Sequence, residues 1–395
     1  MRGVNRYLWV FVLAMVMIMV SSSVRAEIIA FSSDRLAVPE QDVWLSRSDG
    51  SQQVLFSSTP DEPFTDHRSR PSICNDGRRI FYDHLSGSPE YVGELWVKKT
   101  SGVGQPKKVL DCTNPTGSPN CFNLGGPPPF LPWCGPAPVN PLPEPLTGGP
   151  CGCKAVDCGQ PATAFDGNPR ILFTYGNPIG FRDNILMATW DVSSETLSAP
   201  CLLTATGGTA ENPGNNLDPA WCGSNHVVFS RTHHLSTAEP TICTMAIPAP
   251  GATEPPEIRC HDTPDFLDER YPSCGRRNGG ENWTVAFALQ KTGATNSIHR
   301  ICTVELDQTT FDFIPDSEHC TPNEEEDLTI SWTKPTWNPG GTEIAFAANM
   351  DELGDPAGDY DIYRIGSDTD SLDNGGPIVA NTTNTDEDND PDWGP

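Results

Sequence analysis

The feature that most constrains the fold is a repeated block of strand and turn signals, which is clearest near the C-terminus. There, residues 335–337 predict a short strand, and the Asn-Pro-Gly-Gly sequence at 338–341 has turn chemistry. Residues 343–347 predict a second strand, 360–365 a third in which tyrosine and isoleucine alternate, and 377–380 a fourth. Four short antiparallel strands separated by turns are typical of one blade of a β-propeller.

The same order of signals recurs upstream, and each copy has a phenylalanine in its second predicted strand. These residues are Phe31, Phe81, Phe173, Phe229, Phe287 and Phe346. Their spacing is roughly 50 to 60 residues, except between Phe81 and Phe173. Six second strands predict an all-β fold, namely a six-bladed β-propeller of four-stranded antiparallel blades.

The two ends of the chain complete this count of blades. After residue 26, the chain opens with a second and a third strand, at 28–33 and 42–45, without the strand that should precede them. It ends with an isolated first strand at 390–395. We therefore expect the C-terminal strand to join the N-terminal blade, because this closure pairs backbone groups that an open edge leaves unpaired.

The repeats resemble those of the TolB-like propeller family, whose motif runs approximately Pro-x-Trp-Ser-Pro-Asp-Gly, then Ile-Ala-Phe, then Asp-Ile-Tyr. The last repeat has Pro-Thr-Trp at 335–337, Ile-Ala-Phe at 344–346 and Asp-Ile-Tyr at 361–363. It departs from the motif in the turn, and Cys74 and Cys222 stand where the family usually has serine. The chain also departs from TolB itself, which carries a separate domain before its propeller, whereas we expect the propeller of this chain to begin at once.

The first 26 residues have the pattern of a secretory signal peptide. Arg2 and Arg6 precede an apolar run at 7–20, and a small-residue cleavage pattern follows. The run is shorter than the roughly 20 residues of a comfortable membrane span. We predict a signal peptide at 1–26, a single propeller domain at 27–395, and a periplasmic or secreted protein without stable membrane insertion.

All 14 cysteines follow the predicted signal peptide, and in an exported chain this predicts a disulfide framework. Cys243 and Cys302 occupy matching places on predicted third strands of neighbouring blades, and Cys260 and Cys320 match on the fourth. Third and fourth strands are hairpin neighbours, so directly opposed cysteines come within bridging range. We predict the disulfides Cys243–Cys260 and Cys302–Cys320 and leave the remaining pairing open.

The wide gap between Phe81 and Phe173 indicates an insertion at about residues 113–160, which is rich in proline, glycine and cysteine. Proline cannot donate to a strand ladder, so the composition predicts loop rather than strand. The segment is either a tolerated surface insertion or a flap that binds a partner. In the second interpretation, the apolar contacts are Phe130, Leu131 and Trp133.

The net charge of −27 argues against nucleic acid or an anionic membrane surface as the partner. The acidic residues are dense near the C-terminus, where Asp386, Asp388 and Asp390 alternate with other residues. Carboxylate oxygens are ligands that Ca²⁺ prefers, so these three form a candidate Ca²⁺ site. The alternative is that the acidic residues simply keep an exported protein soluble.

The sequence contains no Gly-x-Ser-x-Gly, His-Glu-x-x-His or phosphate-loop motif. The residues expected at the mouth of the channel carry mixed charge, which suits a peptide or another polar ligand. They are Asp34, Arg35, Arg70, His84, Asp218, Arg231, His233, Arg270, Lys334 and Asp390.

Two functions remain open on this basis. In the first, the chain is a non-catalytic binding or scaffold protein, a monomer that holds an envelope protein or peptide. In the second, it is a propeller enzyme, a polysaccharide lyase or hydrolase, with His84 and His233 in a site at the mouth. The fold alone does not choose between them.

Overall fold

The structure is a computed structural model, and its described residues all lie within 27–395. They are 27–37, 40–57, 66–86, 93–111, 134, 152–158, 168–177, 182–198, 200–204, 215–232, 240–249, 256–261, 267–291, 298–322, 332–349, 359–383 and 386–395. The predicted signal peptide at 1–26 and most of the segment 113–160 therefore lie outside the described residues.

The described residues contain 25 strands, numbered here along the chain. The first twelve are β1 (Ile28–Ala37), β2 (Glu40–Arg47), β3 (Val54–Leu55), β4 (Asp66–Ile73), β5 (Arg79–Ser86), β6 (Gly93–Lys99), β7 (Lys107–Asp111), β8 (Gly152–Cys158), β9 (Arg170–Asn177), β10 (Arg182–Asp191), β11 (Thr196–Leu197) and β12 (Cys201–Leu202). The others are β13 (Asn216–Cys222), β14 (His226–Arg231), β15 (Thr241–Ala246), β16 (Ile258–Cys260), β17 (Leu267–Gly275), β18 (Trp283–Lys291), β19 (Ile298–Leu306), β20 (His319–Cys320), β21 (Trp332–Trp337), β22 (Glu343–Ala348), β23 (Asp361–Gly366), β24 (Val379–Ala380) and β25 (Asp388–Gly394).

These strands form six antiparallel sheets, which are the blades of a propeller. Blades 1 to 6 have the strand orders β25-β1-β2-β3, β4-β5-β6-β7, β8-β9-β10-β11, β13-β14-β15-β16, β17-β18-β19-β20 and β21-β22-β23-β24, and β12 also pairs with β10. The first strands β25, β4, β8, β13, β17 and β21 each lie beside the next in a closed ring. The predicted six-bladed fold is confirmed.

The predicted closure is also observed. β25 pairs antiparallel with β1, with Ile28 opposite Gly394 and Ala30 opposite Asp392. The last strand of the chain thus supplies the innermost strand of the blade that the N-terminal strands begin. Backbone groups of β1 and β25 are paired in this way rather than left at an open edge.

The core consists of apolar layers between successive blades. All six phenylalanines that define the repeat are fully buried. For example, Phe81 of blade 2 and Phe173 of blade 3 belong to one cluster, in which Phe81 meets Trp190 edge to face at 5.5 Å between ring centres. Each blade is therefore held mainly by the apolar side chains that it shares with its neighbours.

One local prediction differs from the structure. Residues 152–158, within the segment interpreted as loop, form β8, the first strand of blade 3. This stretch contains no proline, so its amides can join the strand ladder. Between the third and fourth strands of blade 6, the chain forms the short helix α1 (Thr369–Asn374), which Asp368 caps by accepting from the amide of Ser371.

Both predicted disulfides, Cys243–Cys260 and Cys302–Cys320, are present, and each joins directly opposed residues of a third and a fourth strand. The other bridges within the described residues are Cys74–Cys158, Cys134–Cys201 and Cys222–Cys274. Five disulfides fit an exported protein. The described residues include no helix that is long and apolar enough to cross a membrane.

The close approach of blades 5 and 6 gives a test of the packing. A Cβ atom added to Gly275 would lie 2.5 Å from Cγ of Trp337, which is itself buried. We expect Gly275→Ala to lower the free energy of unfolding by about 1 to 3 kcal/mol through overpacking, as measured by urea unfolding of the oxidised protein. Gly340→Ala is the control, because its nearest atoms would lie 3.8 Å away. Equal stability of the two variants would contradict this packing.

Candidate functional site

Five of the six first strands shift register at a dipeptide that ends in proline. The residues before these prolines are Arg70, Asp218, Tyr271, Lys334 and Asp390, and their φ angles lie between 49° and 53°. Positive φ is uncommon for residues other than glycine and costs on the order of 1 to 3 kcal/mol. A bulge with this geometry re-aims a side chain out of the regular alternation of the strand.

All five of these residues line one cavity of about 860 Å³ on the axis of the propeller, and we call them the axial ring. The cavity wall also contains the proline that follows each ring residue and the tryptophans Trp221, Trp283, Trp337 and Trp393. A cavity with apolar and aromatic walls and a few converging polar groups has the character of a ligand-binding site.

A second pocket of about 270 Å³ is also lined by Tyr271 and Lys334 of the ring. Its other residues include Arg270, Gln290 and Asn389. Tyr271 and Lys334 therefore separate the large cavity from this smaller pocket.

Opposite charges meet within the axial ring. Lys334 Nζ forms an ion pair with Asp390 and lies 5.6 Å from the ring centre of Tyr271. Burial opposes ionisation of Asp390, but the charges of Lys334 and Arg70 outweigh it and lower the pKa of this carboxyl. Burial would also lower the pKa of the Arg70 guanidinium, but the surrounding carboxylates raise it, so Arg70 stays charged.

Asp83 of β5 adds a carboxyl behind the ring. Its side chain is 3% exposed, and among the described residues its Oδ1 atom has no hydrogen-bond partner. Burial raises its pKa to about 7, although Arg70 opposes this rise, and the charge of Asp390 adds to it. Asp83 is therefore a carboxyl that interacts with the charges of Arg70 and Asp390 and whose pKa lies near neutral pH.

Asp392, two residues after the ring residue Asp390, lines the large cavity and joins three blades. Its Oδ2 accepts a hydrogen bond from the amide of Ile73 in blade 2 at 2.5 Å, and its Oδ1 accepts from Thr336 Oγ1 in blade 6 at 3.2 Å. Burial raises its pKa to about 7. The carboxyl thus fixes the innermost strands to each other around the cavity.

Asp157 has the same role in the opposite half of the ring of blades. Its Oδ2 accepts from the amide of Trp221 in blade 4 at 2.6 Å, and its Oδ1 accepts from Ser72 Oγ in blade 2 at 3.1 Å. Burial raises the pKa of this carboxyl as well. The sequence did not identify Asp157 as a candidate because it lies in β8, inside the segment interpreted as loop.

The structure brings four of the predicted mouth residues together, since Arg70, Asp218, Lys334 and Asp390 belong to the axial ring. Tyr271 completes the ring and was missed, although it also precedes a proline in its repeat. The sequence signal that would have identified all five is the proline that follows each of them, at the same place in five of the six repeats.

Other predicted mouth residues form separate ion pairs or lie elsewhere. Arg35 Nη2 contacts Asp388 Oδ2 at 2.6 Å, and Asp34 Oδ1 accepts from the amide of Glu387 at 2.8 Å. Arg270 pairs with Asp268, at 2.7 Å between Nη2 and Oδ2, at the edge of the smaller pocket.

The histidines do not converge at the axis as far as the structure describes them. His84 is buried within blade 2, where its Nδ1 lies 3.1 Å from Glu94 Oε2 and its ring packs on Trp96.

The last two predicted mouth residues are Arg231 and His233. Arg231 is a half-buried residue at the end of β14. His233 lies outside the described residues.

Two of the candidate Ca²⁺ ligands form ion pairs with different cationic side chains. Asp388 pairs with Arg35 and Asp390 pairs with Lys334. Among the described residues, Asp386, Asp388 and Asp390 are not a group whose ligand atoms all lie within 4.8 Å of one another. Calcium binding by these three carboxylates stays a prediction.

The sequence matches no protein-family model and no curated protein. Solved structures with a similar architecture include a Mycobacterium tuberculosis puromycin-hydrolyzing peptidase, at 11% identity and a TM-score of 0.44, covering 91% of this chain and 44% of that one. A Penicillium chrysogenum α-L-arabinanase complexed with arabinobiose is 8% identical, with a TM-score of 0.47 and coverages of 74% and 76%.

The β-propeller domain of the Trilobed protease from Pyrococcus furiosus is 10% identical, with a TM-score of 0.36 and coverages of 82% and 72%. This chain spans less than half of the length of the peptidase that it resembles. These similarities concern the propeller fold and carry no argument about activity. Membership of the TolB-like family is not confirmed.

The position of Asp83 predicts how stability depends on pH. Its folded-state pKa of about 7 exceeds the value of about 3.9 for an unfolded aspartate, so folding favours the protonated form. This stabilisation is present below pH 4 and is lost as the pH rises to about 7. We expect the stability of Asp83→Asn relative to the wild type to increase by roughly 3 kcal/mol between pH 4.5 and pH 8, measured by urea unfolding across this range.

The control for this experiment is Asp191→Asn. Asp191 lies in an exposed turn, where hydrogen bonds from Ser193 lower its pKa to about 2. Its substitution should leave the difference from the wild type constant between pH 4.5 and pH 8. A constant difference for Asp83→Asn as well would show that Asp83 is ionised throughout.

Proposed function

We propose that the protein is an exported binding protein that holds a polar segment of a protein partner, an extended peptide, in the axial cavity. The observation that carries this proposal is the axial ring. Five neighbouring strands hold a residue other than glycine at positive φ, and all five side chains line the same cavity. Strain that recurs at one site is typical of functional positions.

The chemistry of the cavity supports a peptide ligand. Tryptophan and proline side chains on the wall can cover apolar residues of an extended segment, while Lys334, Arg70 and Asp218 offer charge of both signs. Peptides present donors, acceptors and terminal or side-chain charges within a few ångströms of one another. A site of mixed sign can therefore pair with them without leaving a buried charge alone.

One observation favours the alternative, a polysaccharide lyase or hydrolase. Asp392 and Asp157 are carboxyls of raised pKa in the same cavity, and a general acid needs such a pKa. Their oxygens, however, already accept hydrogen bonds from neighbouring blades. If the protein is an enzyme of this class, Asp392→Asn should abolish turnover of a polysaccharide panel without unfolding the protein; a binding protein shows no turnover in either form.

Site-specific cross-linking tests the binding proposal in the envelope of the source organism. A photo-reactive residue at Ser224, an exposed residue on the cavity rim, should cross-link a protein partner. The same residue at Val103, which is 73% exposed on a loop that lines neither pocket, is the control. Equal cross-linking from both positions, or none from Ser224, would count against the axial site.

The partner segment mapped in this way can then be titrated as a synthetic peptide. We expect Lys334→Met to weaken its binding about tenfold or more, since hydrogen bonds to charged groups contribute about 1.5 to 3 kcal/mol. Lys107→Met, at an exposed lysine of the outermost strand of blade 2, should bind like the wild type. Isothermal titration calorimetry measures both. If Lys334→Met bound the peptide with wild-type affinity, the axial ring would not be part of the binding site.

A further inference from the structure

A second polar cluster lies away from the axial cavity, between blades 4 and 5. His261 follows β16, Glu269 lies in β17, and Glu318 directly precedes β20. One ligand atom from each of these residues lies within 4.8 Å of the others. None of the three lines either of the two pockets described above.

Blade 4 departs at the position of His261 from the four other blades in which this position is described. In four blades, this position is a serine or threonine that makes two hydrogen bonds to one residue of the third strand. Its amide donates to the carbonyl of that residue, and its hydroxyl accepts from the amide of the same residue. These pairs are Ser57 with Val43, Thr204 with Ile185, Thr321 with Ile301 and Thr382 with Ile362. His261 makes the same backbone bond, to Ile242, but has an imidazole instead of the hydroxyl.

Glu269 takes over the contact that the hydroxyl makes in those blades. Its Oε2 accepts from the amide of Ile242 and from Thr241 Oγ1, each at 2.9 Å. The other oxygen, Oε1, lies 2.8 Å from His261 Nδ1. The carboxylate is fully buried and is oriented by two donors, as metal-binding carboxylates commonly are.

Glu318 completes the cluster from the solvent side. The charged groups that act on its carboxyl include His261, Glu269, Arg300 and His319. Two carboxylates beside one imidazole leave net negative charge between the blades. Glu318 itself is exposed, so the cluster is open to water and to ions on one side.

We propose that His261, Glu269 and Glu318 bind a zinc ion that links blade 4 to blade 5. One imidazole nitrogen and two carboxylate oxygens suit zinc, whereas Ca²⁺ and Mg²⁺ prefer oxygen ligands alone. Water would fill the fourth position of a tetrahedral site. Cys302 and Cys320 lie beside Glu318, but they form a disulfide and offer no thiolate.

Metal titration of the oxidised, chelator-treated protein tests this proposal. We expect one zinc ion per chain by calorimetry and elemental analysis, and a rise in the melting temperature on addition of zinc. Cobalt(II) should give the visible absorption of a tetrahedral complex, and millimolar calcium should not displace zinc. Failure of the wild type to bind zinc at 100 µM would overturn the proposal.

Two substitutions place the ion. Glu318→Gln should weaken zinc binding at least tenfold while leaving the fold intact, because this side chain is exposed. Glu257→Gln is the matched control, since Glu257 is an exposed carboxylate of the neighbouring region that pairs with Arg259. If His261→Gln and Glu318→Gln both bind zinc as tightly as the wild type, the ion binds elsewhere and the assignment is wrong.

Discussion

The pairing of β25 with β1 is the interaction on which the rest of the structure depends. It joins the last described strand to the first and completes blade 1. The same strand supplies Asp390 to the axial ring and Asp392 to the contacts with blades 2 and 6. Loss of this strand would therefore leave Lys334 without its carboxylate partner and open the ring of innermost strands. In this protein, the stability of the fold and the formation of the candidate site have the same cause.

Similar polar contacts recur between neighbouring blades, and individual blades differ in the side chains that make them. Apolar layers hold each pair of blades, and buried carboxylates such as Asp157, Asp392 and Glu269 then accept amide hydrogen bonds from a neighbouring blade. Such bonds satisfy backbone groups that the ladders do not reach. Because these contacts recur, a departure from them is informative. The exchange of a hydroxyl for His261, with Glu269 taking over its contact, leaves a ligand set that the other interfaces lack at this position as far as they are described.

The sequence predicted the blades well because each strand depends on local signals. Turn residues and cross-strand cysteines such as Cys243 and Cys260 act within one blade, and the repeated phenylalanines reinforce the pattern. The candidate site was harder to predict. Arg70 and Lys334 were expected at the mouth, but the strand bulges that aim them at the axis change the alternation of side chains, which the sequence alone does not reveal. His84 was also expected at the mouth, but in the structure it lies opposite Glu94 on the next strand of blade 2 and contacts it there.

The energetics of the axial ring argue that it has a role beyond the fold. Buried ion pairs seldom stabilise a protein more than apolar residues of the same size, because desolvation offsets their attraction. The ring combines such charges, in Arg70 and Asp390, with backbone strain at five positions. Apolar side chains on regular strands would close the axis at lower cost. The centre of the propeller is therefore less stable than an apolar centre on regular strands would be, and ligand binding at the axial ring would explain this loss of stability.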